Sequence, residues 1–501
     1  MNNQRVVIIG SGIGGLGVAC LLGKAGYHVQ VFEKNDKLGG RINVFQEQGY
    51  TFDMGPSWYL MPDVFQNFFA LTGNRVEDHL DLVRLDPSYR IFFKDKNKVV
   101  DIFSDLERDA KTFEALEPGS SEKLREYLRR AESQYKTAIE LFMYRNYDSI
   151  FDFFNLKTLI EGSRLSVFKS MHSYVKKFFK SDELQKILQY TLVFLGGSPY
   201  NTPAMYNIMS HVDFNMGVFY PKGGLYRITE TLHNIGKQAG VSYQVNAGVK
   251  RILLKEGRAT GVELMDGTVV EADIVISNAD IHHTETKLLP REAQSYPESF
   301  WNKKTLAPSA FIMYLGINGK VPSLTHHNLL FSQDWSKSFG EIFDHPEWPT
   351  DPSIYVCAPS VTDATVAPAG KENLFVLVPM ASGLTYTQAE LEAYGEKILD
   401  TLEKDLDVKD IRQRIEVKRY FCSDDFTSLY NSYKGTALGL AHTLTQTAWF
   451  RPDTRSKKVS NLYYVGANTN PGIGMPTCLI SAELAYKRIT GNTSPSHLTS
   501  L

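Results

Sequence analysis

Arg5-Val6-Val7-Ile8-Ile9-Gly10-Ser11-Gly12-Ile13-Gly14-Gly15 is the stretch whose reading decides the fold of this 501-residue chain. Its first five residues are a short apolar run of strand type. The run breaks into a glycine-rich turn, and Leu16 to Ala25 then reads as a helix. Strand character returns from His28 to Phe32, with Glu33 at its end, 23 residues beyond Gly10. Strand, GxGxxG turn, helix, strand and acid in this order form a dinucleotide-binding unit. Gly10 permits the tight turn, Gly12 lets backbone approach a pyrophosphate, and Gly15 lets the helix pack on the strand. The helix N-terminus offers free N–H groups and partial positive charge to phosphates. Glu33 has the reach to accept hydrogen bonds from a ribose 2′-hydroxyl.

Two further segments point to a flavin dinucleotide. Lys37-Leu38-Gly39-Gly40-Arg41 and Gly49-Tyr50-Thr51-Phe52-Asp53-Met54-Gly55-Pro56 follow the acid closely. An extended flavin runs its pyrophosphate and ribityl chain past such a loop, where an arginine screens charge. Far downstream, Asn461 to Thr469 reads as a strand ending in a small-residue turn. It leads through Asn470-Pro471-Gly472-Ile473-Gly474-Met475-Pro476 into a helix from Cys478 to Ile489. A second strand–turn–helix suggests that the chain folds back on the same cofactor, with the new helix N-terminus toward the ribityl chain or ring. Cys478 at its start reads either as a small buried thiol or as the site of a covalent flavin bond.

Composition fits a soluble-type enzyme of two or three structural units. Hydrophobic residues make up 43% and charged residues 22%, and the net charge of −2 implies no nucleic-acid partner. Cys20, Cys357, Cys422 and Cys478 show no CxxC spacing, which points to a reducing compartment. The nucleotide strand starts almost at once, so no signal peptide is expected. No run of about 18 apolar residues predicts a membrane span. Thr490 to Leu501, rich in Ser, Thr and Pro, reads as a frayed tail.

The chain resembles the bacterial carotenoid (phytoene and diapophytoene) desaturases of the amine-oxidase-like FAD superfamily. The resemblance rests on the N-terminal fingerprint, Gly39-Gly40-Arg41, Phe52-Asp53-Met54-Gly55-Pro56 and Gly217-Val218-Phe219-Tyr220-Pro221-Lys222-Gly223-Gly224. It also rests on Ser277-Asn278-Ala279-Asp280, on Thr445 through Pro452, and on the C-terminal block, in family order across almost the whole chain. One departure is Gly466-Ala467-Asn468-Thr469-Asn470-Pro471-Gly472, where the family usually has Gly-Ala-Gly-Thr-His-Pro-Gly. The resemblance implies an α/β fold: a Rossmann-type FAD-binding domain interleaved with a mixed-sheet substrate domain and a helical, membrane-facing region. The expected division is 1–75, 226–283 and 450–490 for FAD, 76–225 for the helical region, and 284–449 for substrate. Hairpins are predicted at Lys255-Glu256-Gly257-Arg258 and Met265-Asp266-Gly267-Thr268. Strands are predicted at Ala310 to Leu315, Ile354 to Ala358 and Leu374 to Pro379. The cofactor-binding candidates are Gly10, Gly12, Gly14, Gly15, Glu33, Lys34, Gly40, Arg41, Gly55, Pro56, Val249, Gly466, Ala467, Gly474 and Met475, with Val249 contributed by the resemblance at the adenine.

The implied reaction removes a hydride and a proton from a –CH2–CH2– in an apolar C40 or C30 polyene, with a quinone or oxygen as final electron acceptor. Positioning then supplies most of the catalytic power. Asp213, Glu341, Asp344 and Asp363 are candidate carboxylates, none singled out as the base. His326-His327 is an adjacent pair whose favoured reading is structural rather than metal-binding. From Arg164 to Lys180, Leu165, Phe168, Met171, His172, Val175, Phe178 and Phe179 share a helical face flanked by lysines. The pattern fits a helix packed on its own domain; the resemblance shifts the expectation to a peripheral membrane contact on the cytoplasmic face. The alternatives are another FAD oxidoreductase (carotenoid isomerase, hydroxycarotenoid 3,4-desaturase, amine or protoporphyrinogen oxidase) and a non-enzymatic isoprenoid-binding escort protein. An intact ribose acid and Gly-Gly-Arg loop argue against the escort.

Overall fold

β-Branched residues fit a pleated surface covered on both faces, and the run Arg5–Ile9 takes the centre of a five-stranded parallel sheet. A computed structural model describes residues 3–94, 96–149, 169–408 and 410–501. The sheet order is Leu462–Tyr464, Ile274–Ser277, Arg5–Ile9, His28–Phe32 and Ser242–Gln244, so strands from three distant parts of the chain meet in it. Helix Ile13–Lys24 covers one face, packed against helices Met475–Thr490 and Tyr226–Gln238. The other face meets an antiparallel hairpin unit, Val249–Lys255, Arg258–Leu264 and Val269–Glu271, through Val7, Ile9, Val262 and Val275. Glu256 and Gly257 both take positive φ at the first predicted hairpin turn.

A second, seven-stranded mixed sheet runs in the order Ile415–Phe421, Ser309–Ile317, Glu372–Met380, Ile354–Cys357, His327–Phe331, Tyr89–Phe93 and Lys98–Ile102. Ser309–Ile317 is buried along its whole length. Alternation assigns its two faces. Phe311, Met313 and Leu315 pack in one core with Ile398 and Leu402 of helix Gln388–Asp405. Ala310, Ile312 and Tyr314 belong to the other core, with Tyr50 and Phe52. The two sheets thus enclose the space in which the site lies.

Three expectations are corrected here. The segment 76–225 is not simply helical. Tyr89–Phe93 and Lys98–Ile102 form a hairpin that extends the large sheet, Tyr89–Phe93 pairing parallel to His327–Phe331. Aromatic and β-branched side chains at Tyr89, Ile91, Phe92 and Phe93 suit a buried strand, and all four are buried. The lysine-flanked segment is helical only over Met171–Val175 among its described residues, 164–168 lying outside them. Met171, Val175 and Phe179 are buried, and Phe179 meets Phe113 and Tyr127 edge-on. Their apolar face therefore serves the protein's own core. The last residues are tied down: Leu498 is buried and donates its amide to Glu483, and Lys487 binds the carbonyls of Ser494 and Ser496. Burial of one leucine side chain contributes about 1.5–3 kcal/mol toward that docking.

Candidate active site

The glycine turn lies at the C-terminal edge of the parallel sheet, where ligands bind in open α/β folds. Gly10 takes φ +88°, open to glycine at little cost. A Cβ on Gly12 would sit 2.6 Å from Asn278 Nδ2, and one on Gly15 would strike the Gly10 carbonyl. Bare Cα positions thus let the turn nest under Asn278 and let helix Ile13–Lys24 close onto it. Glu33 is buried and held by that same turn. Its Oε2 accepts from the Ser11 amide at 2.9 Å and hydroxyl at 2.7 Å, and its Oε1 from the Asn35 amide at 3.0 Å.

From this turn one cavity of about 1430 Å³ extends through the space between the sheets. Gly10, Gly12, Gly14, Glu33, Lys34, Gly40, Arg41, Gly55, Pro56, Val249, Gly466, Ala467, Gly474 and Met475 all line it. Gly15 does not; it acts in packing alone. Lys34 turns partly aside, its ammonium bound to the Ser428 carbonyl and Asn431. Burial lowers its pKa.

These residues fit FAD. Helices Ile13–Lys24 and Met475–Thr490 begin at Gly12 and Gly474, and no side chain caps either. Their free N–H groups face the cavity as anion donors. Arg41 gives one guanidinium nitrogen to Ser432 Oγ at 2.5 Å, while its buried Nε has no partner. Asn470 Oδ1 is likewise buried without a partner at the cavity wall. Orphaned polar groups of this kind cost about 1–3 kcal/mol each until a ligand satisfies them.

The turn after Leu462–Tyr464 is braced from behind by Arg451. Its guanidinium is fully buried and donates to the carbonyls of Thr469, Gln446, Leu440 and Ala467 at 2.7–3.2 Å. Burial lowers its pKa to about 10, so it stays charged near neutrality. Asn468, the first departure from the family pattern, links Asp280 Oδ2 to the Leu440 amide. Cys478 lines the cavity with its thiol pushed up to about 12 by burial, which suits an unreacted side chain.

Beyond the dinucleotide positions the wall turns aromatic and aliphatic. Trp58, Tyr190, Phe194, Phe331 and Tyr355 cluster there, Trp58 lying 5.4–6.1 Å from the rings of Phe194, Tyr190 and Tyr355. Behind Tyr190 sits Asp213, fully buried, accepting from Tyr89 at 2.8 Å and Tyr190 at 3.1 Å. Burial raises its carboxyl to about 7, against the pull of the two phenols. The other three carboxylates serve elsewhere. Glu341 holds Thr350, and Asp363 caps its own turn and binds the Gly223 amide. Asp344 ends helix Trp335–Phe343.

Residue spacing carried no sign of Asn278, Arg451, Tyr190 or Tyr430 as site residues. Tyr430 lines the cavity and lies 5.8 Å from the Arg41 guanidinium. The segment Ser277–Asp280 and the Arg-Pro before the last strand were visible only as parts of a family pattern.

Comparisons with known proteins agree with this geometry. Residues 13–490 match the family described as flavin containing amine oxidoreductase. The chain is 47% identical over 485 residues to a carotenoid 3,4-desaturase of Haloarcula japonica, covering 96% of this chain and 97% of that protein. It is 37% identical to a zeta-carotene-forming phytoene desaturase of Myxococcus xanthus, covering 97% and 94%. Among solved structures, an oxidoreductase from Methanosarcina mazei superposes with a TM-score of 0.61 over 97% of this chain and 100% of the other, at 18% identity, a likeness of fold. The chain belongs to the flavin-containing amine oxidoreductases and, within them, to the carotenoid desaturases.

Proposed function

We propose that this protein is an FAD-dependent desaturase that introduces double bonds into a phytoene-like C40 or C30 carotenoid. The observation that carries the reading is a single cavity of about 1430 Å³ in which the dinucleotide cradle continues into an aromatic-lined part. FAD would be held by the glycine turn at Gly12, by Arg41 and by the N-terminus of helix Met475–Thr490, and would supply a hydride acceptor. The protein must then hold one C–H bond in place, stabilise the allylic cation left behind, and receive a proton from the neighbouring carbon.

Trp58, Tyr190 and Phe194 put aromatic rings on the cavity wall, whose π-systems would stabilise a passing cation. Asp213 adds a buried negative charge one hydrogen bond behind Tyr190. It does not line the cavity itself, so its role is to position Tyr190 and polarise its ring. Water is excluded from this part of the wall by Ile312, Leu329, Phe375 and Leu377.

Peripheral association with the cytoplasmic face of a membrane belongs to the same proposal, because a polyene of this length partitions into lipid. In its support, Leu444 and Phe450 line the cavity and yet are 37% and 53% exposed, with Trp449 between them. These side chains form an apolar rim suited to acyl chains. Among the described residues no helix is long and apolar enough to cross a membrane. A quinone or oxygen is proposed to take the electrons on.

The test is expression in cells that accumulate phytoene and in cells that accumulate diapophytoene, with pigments read by absorption and mass. Coloured products that have lost hydrogen pairs are expected. Colourless extracts beside a yellow, FAD-loaded protein would overturn the substrate assignment while leaving the cofactor site intact.

A further inference from the structure

Behind the cavity wall three metal-ligating side chains converge. His326 and His327 stand at the start of strand His327–Phe331, and Cys357 ends strand Ile354–Cys357 as the register partner of His327. One ligand atom of each residue lies within 4.8 Å of the other two. All three side chains are buried, at 3%, 0% and 3% exposure.

The hydrogen bonding of the two imidazoles is what separates this cluster from an ordinary packed core. His326 Nδ1 pairs with Thr362 Oγ1 at 2.8 Å, and His327 Nδ1 with Tyr355 Oη at 2.7 Å. Both Nε2 atoms are buried with no partner. The rings are fixed in place by stacking, His327 on Trp58 at 4.0 Å and 9°, His326 beside Tyr220 at 4.5 Å. Cys357 and Tyr220 also line a small void of about 20 Å³, which neither histidine borders. A histidine whose Nδ1 is held by an oxygen partner and whose Nε2 is bare has the arrangement of a metal ligand with its outer partner in place.

We propose that His326, His327 and Cys357 form a buried binding site for zinc(II), filled as the chain folds. Two imidazoles and a thiolate suit a borderline-soft d10 ion, whose fourth ligand would be a water molecule. Binding forms bonds to two imidazole nitrogens and one sulfur, and the Cys357 thiol gives up its proton to solvent. No oxidant or reductant is needed. The hydrogen-bond chain His327–Tyr355–Ser57 then runs from the ion to the residue after Gly55-Pro56, with Ser57 Oγ 2.7 Å from Tyr355 Oη. The ion thus braces the wall at the junction of the cofactor and apolar parts of the cavity. The site stands independently of which polyene the enzyme uses.

The experiment uses the full-length, FAD-loaded protein expressed in minimal medium supplied with zinc or with cobalt(II), purified without chelator. About one metal ion per chain is expected, with X-ray absorption showing sulfur at about 2.3 Å and nitrogen at about 2.0 Å from zinc. The cobalt form, read as a difference spectrum against the zinc form, should show a thiolate-to-cobalt band. Cys357→Ser should lose that band, and His326→Gln should lower metal content about tenfold or more with flavin retained. If Cys357→Ser does not fold, the sulfur seen from zinc in the wild type decides. Metal-free protein from both media, with normal flavin content, would overturn the proposal, as would zinc that carries no sulfur ligand or is kept by both variants. In those cases the cluster is a hydrogen-bonded core.

Discussion

Tyr190, on the cavity wall, donates its phenolic hydrogen to the buried carboxylate of Asp213 at 3.1 Å, and Tyr89 donates to the same oxygen at 2.8 Å. The folded pKa of Asp213, about 7, lies above the ordinary 3.8 because the site is desolvated. The folded protein therefore binds this proton more tightly than the unfolded chain. Asp213 favours folding below its unfolded pKa, and that contribution, about 4 kcal/mol, is lost as pH rises through the folded value. Asp213→Asn should flatten the dependence of unfolding free energy on pH between about 4 and 7, read by urea titration at a series of pH values.

The same pair sets an expectation for turnover. Ionised Asp213 is the form that favours a cation beside Tyr190, so the rate should rise with pH through about 7. Asp213→Asn should remove that limb and lower turnover about 10²-fold, with flavin content unchanged. Tyr190→Phe should reproduce the loss of the limb. A normal pH profile in both variants would separate the pair from the reaction.

Arg451 should be irreplaceable by lysine. Its guanidinium satisfies four carbonyls around the turn Ala467–Thr469, and an ammonium cannot reach all of them. Arg451→Lys and Arg451→Met should each destabilise the protein by about 3–5 kcal/mol and release FAD, measured by denaturant titration and by flavin absorbance after gel filtration.

The two glycines of the turn should separate stability from cofactor retention. Alanine at Gly15 meets the Gly10 backbone, which cannot step aside; Gly15→Ala should cost about 1–3 kcal/mol. Alanine at Gly12 meets only the Asn278 side-chain amide. Gly12→Ala should therefore melt near the wild type but bind FAD weakly. Pairing Gly12→Ala with Asn278→Ala should recover part of the flavin.

At the rim, Leu444→Asp and Phe450→Asp should lower co-flotation with anionic vesicles and turnover of vesicle-borne polyene by about tenfold, leaving FAD content and melting unchanged. Flotation equal to wild type would remove these side chains from the membrane contact.

The nucleotide half of this protein was legible along the chain because it is local. A β-branched run, a glycine turn, an apolar helix and an acid within the first 33 residues specify a parallel strand and an anion cradle by near-neighbour sterics. The strands Ser309–Ile317, Ile354–Cys357 and Glu372–Met380 were legible for the same reason, as continuous apolar runs. The hairpin Tyr89–Phe93 with Lys98–Ile102 was not, because its partner strand lies more than 200 residues away at His327–Phe331. The amphipathic pattern of Met171–Phe179 stated that an apolar face must be covered but not by what; Phe113 and Tyr127 cover it.

Sequence alone determined the α/β class, FAD as the cofactor and the family, since each rests on residues adjacent in the chain or on their order. Tertiary structure alone decided which carboxylate stands behind the cavity, that the last residues dock on Glu483 and Lys487, and that His326, His327 and Cys357 meet. Those outcomes depend on long-range strand pairing and on burial. Desolvation and orphaned hydrogen-bonding groups are properties of a packed interior, and they have no counterpart in the linear chain.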